Sequence, residues 1–245
     1  MIIDRNSPLL RLPPQLNRRQ ALFLEGIRYS IQMADLSHFR LRENLFKLAV
    51  NCPNNSDHLG FISALQDAWS IVDSVHRLRG LLNHAPGFKQ KAPGQKLFIL
   101  KTAEVEELRN IVQHLNEKID KTVIPQNVPL MGVLTWLAVI NPEQKLSKSC
   151  ALVAGSMYDT QDHKFVNPAG QTISLPVDLI TLTASGYSSC LSKIMKYVEA
   201  LTRELEMQIE SQFKDLPSAG ADMIICAVIK EVDEQFLKEY IEGRA

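Results

Sequence analysis

RRQALFLEGIRYSIQMADLSHFRLRENLFKLAV occupies residues 18–50. Its apolar side chains, Leu22, Leu24, Ile27, Ile31, Ala34, Phe39, Leu45, Phe46 and Ala49, recur at helical spacing, and Asn17 stands just before it as an N-cap. The pattern predicts one helix over 18–50, with a bend or break near Ser37 because of its length. Asn51-Cys52-Pro53-Asn54-Asn55 is a turn, and Ser56 or Asp57 caps a second helix over 57–84. Its inward set is Leu65, Ala68, Trp69, Val72, Val75, Leu78 and Leu82. Pro86-Gly87 stops it, and after Pro93-Gly94 a third helix is expected over 97–121.

The pattern changes at Pro129. Apolar runs of strand length, Met131–Val139, Cys150–Met157, Thr172–Leu175 and Leu179–Ala184, are separated by turn signals such as Asn141-Pro142 and Asn167-Pro168-Ala169-Gly170. They predict a small antiparallel meander within about 129–185. Ser188 or Ser189 is expected to cap a last long helix over 189–213, with Leu191, Ile194, Met195, Val198, Leu201, Leu205, Met207 and Ile209 inward. A strand over Ile224–Val232 and a short helix over Glu234–Glu242 complete a C-terminal unit at 222–243. The class is α+β: an antiparallel bundle of long helices (18–121 plus 189–213) with a β-sheet inserted before the last long helix, all in a single domain, 1–245.

Lys plus Arg and Asp plus Glu each number 27, so the net charge is zero and argues against a broad basic surface for nucleic acid. A small clamp for one or two phosphates remains compatible with it. Cys52, Cys150, Cys190 and Cys226 form no CxxC pair, which reads as buried thiols in a reducing compartment. The N-terminal residues lack a signal-peptide apolar core, and the most apolar stretch, Val128–Ile140, is too short to span a bilayer. A cytoplasmic protein without membrane contact is expected. Neither GxGxxG nor GxxxxGK[ST] occurs, so no nucleotide cofactor is expected.

Chemistry concentrates at Arg109-Asn110-Ile111-Val112-Gln113-His114. Arginine grips phosphate with a planar fork of donors, and histidine moves protons near neutral pH. Phosphodiester cleavage without a metal needs both. Asn110 and His114 are four apart and share a helix face, with Arg109 beside them. Arg-Asn-x-x-x-His arises by chance roughly 0.01–0.02 times in a chain of this length and composition, against about 0.3 for the loose Arg-x-x-x-x-His that Arg79 and His84 also form.

A bundle of long helices carrying this run resembles the HEPN superfamily, whose motif is Arg, four to six residues, then His, commonly with a polar residue after the Arg. Arg109, Asn110 and His114 match it, and the resemblance covers roughly 18–121 plus 189–213. Many such domains are metal-independent RNases, often toxins or defence effectors, with the site formed across a homodimer; others are inactive binding or structural modules. The resemblance implies that Arg109 stabilises charge on the scissile phosphate, that His114 transfers the proton, and that Asn110 orients one of them. The nucleophile would be a 2′-hydroxyl, which makes the substrate RNA. The competing reading is a non-catalytic helical interaction protein, with a protein partner and a structural motif.

Gln66, Asp73, Arg77 and His84, spaced by seven, four and seven, are expected to line one face of the second helix behind the motif. The plainer reading of Asp73 and Arg77 is an intrahelical ion pair. Asp159, Asp162 and His163 carry metal-capable groups, but turn chemistry explains them better and no metal site is assigned. Ser185–Ser189 lacks GxSxG and reads as a helix cap; Trp69 and Trp136 read as core.

Overall fold

The computed structural model describes residues 1–52, 57–86, 92–144, 146–155, 166–171, 173, 175–213 and 222–226. Asn17 accepts the Gln20 N–H at 2.9 Å while the Gln20 side chain accepts the Asn17 N–H at 3.1 Å, a reciprocal capping box. It starts α1, Arg18–Asn51, which runs unbroken. No break falls at Ser37, whose hydroxyl bonds Ser70 at 3.0 Å on the neighbouring helix and does not compete with its own backbone.

α2, His58–His84, begins at Asp57, whose carboxylate accepts the Gly60 N–H. Ser37 meets Ser70, Arg40 meets Asp67, and Asn44 meets the Gly60 carbonyl. One residue number climbs as the other falls, so α1 and α2 form an antiparallel hairpin. Its seam holds Ile27, Ile31, Ala34, Leu41 and Leu45 against Ala68, Ile71, Val75 and Leu78. Leu22 and Phe39, expected inside, are exposed; they lie off the buried stripe.

The single helix expected over 97–121 is instead a chain of short pieces: α3 Pro93–Lys101, α4 Glu104–Gln113, α5 Leu115–Lys118, a π-turn Ile119–Val123 and α6 Ile124–Gln126. The first break has a clear cause. Thr102 bonds back to the Phe98 carbonyl at 2.7 Å and receives Arg79 Nη1 at 2.7 Å, and that same nitrogen bonds the Ile99 carbonyl. A carbonyl claimed by a guanidinium is free to leave the helical ladder. The second break falls at His114 (φ −111°, ψ 32°). Beyond it no side chain is buried up to Val123, and Pro125 offers no N–H to the carbonyl four residues back.

β1 Val133–Asn141, β2 Leu146–Val153, β3 Val177–Ala184 and β4 Tyr187–Cys190 form an antiparallel sheet in the order β2-β1-β3-β4. Thr172–Leu175 contributes no strand at its described positions, 173 and 175. β4 replaces the expected helix cap: Ser185 and Gly186, both with positive φ, make a two-residue hairpin turn, and Ser188 bonds Thr183 at 2.8 Å within the sheet. α7, Leu191–Gln212, starts from Cys190 without a side-chain cap. Met207, expected inside, is exposed. Leu134, Trp136, Ile180 and Leu182 of the sheet join the same hydrophobic cluster as α1, α2 and α7, so the sheet is part of the bundle's core.

Between Thr135↔Thr181 and Leu137↔Asp178 the pairing advances two residues on β1 and three on β3. This bulge puts Leu179 at φ 54°, a left-handed conformation that costs an ordinary residue about 1–2 kcal/mol. Gly132, at φ 85°, faces Thr183: a Cβ there would come within 2.5 Å of the Thr183 carbonyl oxygen. Gly132→Ala is therefore expected to lose about 2–3 kcal/mol in urea unfolding, since strain and clash add.

Residues 222–226 have no regular structure, which removes the strand expected to start at Ile224 over that part. The remainder of that strand, the terminal helix at 234–242, and Asp159, Asp162 and His163 lie outside the described residues. Cys52 and Cys226 are exposed and Cys150 and Cys190 half-buried, all free, so the expectation of buried thiols fails. Among the described residues no helix is long and apolar enough to cross a membrane.

His38 on α1 is held away from water, and this burial, with Arg42 nearby, pushes its imidazole down to about 4. The unfolded chain binds that proton from near pH 6.5. The group therefore favours the fold above that pH, and this contribution is lost as pH falls toward 4. Melting temperature is expected to drop across that window by a margin that narrows in His38→Gln.

Candidate functional site

Two antiparallel ion pairs clamp α4 onto α2. Arg79 of α2 meets Glu106 of α4 at 3.0 Å, and Asp73 of α2 meets Arg109 Nε at 3.0 Å. The spacing follows from the helix: Asp73, His76 and Arg77 lie at i, i+3 and i+4 on one face, as do Glu106 and Arg109 at i and i+3. Arg77 bonds the other oxygen of Asp73. Burial alone would push the Asp73 carboxyl up, but the hydrogen bonds and charges of Arg77 and Arg109 outweigh it and hold the group below its ordinary value.

Arg109 is mostly covered, with 23% of its side chain exposed, and its Nη1 is sealed from solvent without a hydrogen-bond partner. Beside it His76 has its Nδ1 in the same condition. Burial first, and the Arg109 charge second, lower the His76 pKa. An unpartnered guanidinium nitrogen next to a neutral imidazole is costly to leave dry, and an anion or a partner's carbonyl would satisfy it.

His114 ends α4 as its C-cap, and its backbone N–H bonds the Asn110 carbonyl at 3.1 Å. Its ring is exposed, with Nδ1 3.9 Å from the Glu117 carboxylate, and the Asn110 side chain is exposed as well. Arg109 thus turns inward to α2 while Asn110 and His114 face solvent. Asp73 contacts the motif and Arg77 contacts Asp73. His84 instead turns its Nδ1 back to the Gly80 carbonyl at 2.8 Å, and Gln66 is exposed. The expected row from Gln66 to His84 shrinks to its middle, because the ends of α2 run past the short α4. Arg79, the other loose motif arginine, is a buried strut.

His76 belongs to this site as well; in the sequence it clusters with Asp73, Arg77 and Arg79 on the second helix, with no role given to it. Its spacing of three from Asp73 is the available signal, and only the seat of α4 reveals that Arg109 lies against it. Among the described residues no group of three or more His, Cys, Asp or Glu is arranged to hold a metal ion. Comparison with protein-family models, with curated proteins and with solved structures finds no match to this chain.

Proposed function

We propose that this chain is an HEPN-like protein that engages RNA at the α2–α4 seam, as a homodimer that pairs two copies of the motif. The observation that carries this reading is Arg109: Asp73 fixes its orientation through Nε, while Nη1 keeps an unused donor. A cation oriented by a carboxylate behind it suits a phosphate, which on this reading displaces the side chains that cover Nη1. His114 is accessible at the end of α4, and a symmetric partner would supply a second imidazole, giving an acid and a base at once. Chelator-resistant cleavage of single-stranded RNA by the wild type, with products ending in a cyclic phosphate, tests it. Absence of cleavage defeats the enzyme reading.

The zero net charge favours a second reading, a helical interaction protein. Net charge is zero, and Arg109 is neutralised by Asp73, with Glu106 nearby on Arg79. On this reading the motif ties α4 to α2, and wild type neither binds nor cuts RNA.

A further inference from the structure

Beneath the β3 bulge, charged side chains of α1, β3 and α7 gather with one loose ion pair, Lys196 to Asp178, among them. Arg42 donates Nε to the Val177 carbonyl at 3.3 Å. Asp35 accepts the Ile2 N–H at 2.6 Å. Asp178, 4% exposed, accepts the Leu179 N–H at 2.7 Å, and the Lys196 ammonium stands off at 3.9 Å. Ser192 accepts the Ile180 N–H at 3.0 Å, which leaves its hydroxyl proton for another acceptor. His38 Nε2 is buried with no partner. Between these groups lies a cavity of about 200 Å³.

Apart from the loose Lys196–Asp178 pair, these opposite charges do not close on each other and they line a space. A ligand of one sign would leave the other set without a partner, the buried Asp178 above all. The volume lies below the range of about 300–1,000 Å³ that suits drug-sized ligands, and admits a molecule of about ten heavy atoms. Glu199 at the rim is engaged by Arg203. The bulge is a second, independent sign. The extra residue on β3 and the left-handed Leu179 directly follow Asp178, and bulges re-aim side chains beside binding sites.

We propose that this cavity binds a small zwitterion of the α-amino-acid class, its carboxylate facing Arg42 and Lys196 and its ammonium facing Asp178 and Asp35. The site is separate from the α2–α4 seam and does not depend on RNA chemistry there.

Calorimetric titration of the full chain with glycine, L-alanine and L-serine, and with acetate and methylammonium as half-ligands, tests it. At least one amino acid is expected to bind saturably, with each half-ligand weaker by about tenfold or more. Arg42→Met and Asp178→Asn are each expected to weaken the amino acid by about tenfold. Lys196→Met, on an exposed side chain, provides a variant that folds regardless, and is expected to weaken carboxylate-bearing ligands while sparing methylammonium. No saturable binding of any amino acid to folded wild type overturns the proposal. So does acetate or methylammonium matching the amino acid, or Lys196→Met binding unchanged.

Discussion

Arg109→Ala is expected to reduce RNA cleavage by about 10²–10³-fold while the melting temperature stays within a few degrees of wild type. The two outcomes separate because of how Arg109 is held. Its partner Asp73 is 39% exposed and keeps Arg77 when Arg109 is removed, so no buried charge is stranded. With its carboxylate 39% exposed and shared with Arg77, the pair contributes about 1 kcal/mol. On the RNase reading the loss therefore falls on phosphate binding. His114→Ala should be equally damaging to cleavage and still milder for stability, since the ring is exposed and makes only a long contact to Glu117. Asn110→Ala should be the mildest, because on that reading Asn110 orients and transfers no proton. Activity is expected to survive EDTA. If wild type cuts no RNA and Arg109→Ala lowers the melting temperature strongly, the seam is structural and the interaction-protein reading takes its place.

Arg79→Met is expected to have the opposite profile, a large loss of stability independent of any RNA chemistry. Arg79 is buried, with 6% of its side chain exposed, and binds the Ile99 carbonyl, the Thr102 hydroxyl and Glu106 together. Methionine replaces the stem but supplies no donor, so a carbonyl at the α3–α4 break is left without its partner. Removing one member of such a buried network costs about 2–4 kcal/mol. For a chain of this size that corresponds to roughly 5–15 °C in melting temperature. Hydrogen exchange should accelerate at residues 99–106 first. An Arg79→Met variant that melts like wild type, with unchanged exchange there, would show that the break is held by backbone preference alone.

The long helices are legible because their apolar residues repeat over many turns. α1, α2 and α7 each bury one face against the others, and no local signal competes with that repeat. The middle helix reads as continuous in the sequence because its first break is set from outside it. Arg79 on α2 claims the Ile99 carbonyl, and nothing in residues 97–121 announces this. β4 reads as a helix cap because Ser188 and Ser189 suit one locally, while pairing with β3 decides the matter. At the candidate site, spacing alone places Asp73, Arg77 and Arg109 on helix faces. That Asp73 reaches Arg109 follows only from the tertiary seat of α4 on α2. The cavity beneath β3 left no sequence signature, since its residues come from three distant segments and depend on a bulge.

The position of α7 in the chain has a consequence for synthesis. The α1–α2 hairpin is complete in the first third of the chain, but the helix that helps close its core, Leu191–Gln212, emerges about a hundred residues later. At translation rates of about 5–20 residues per second, the interval is roughly 5–20 s. During that time the surfaces of the hairpin destined for Leu191, Ile194, Val198, Leu201 and Leu205 face the ribosome's surroundings uncovered. Slowing translation across the β-sheet is expected to lengthen the time this apolar surface stands uncovered.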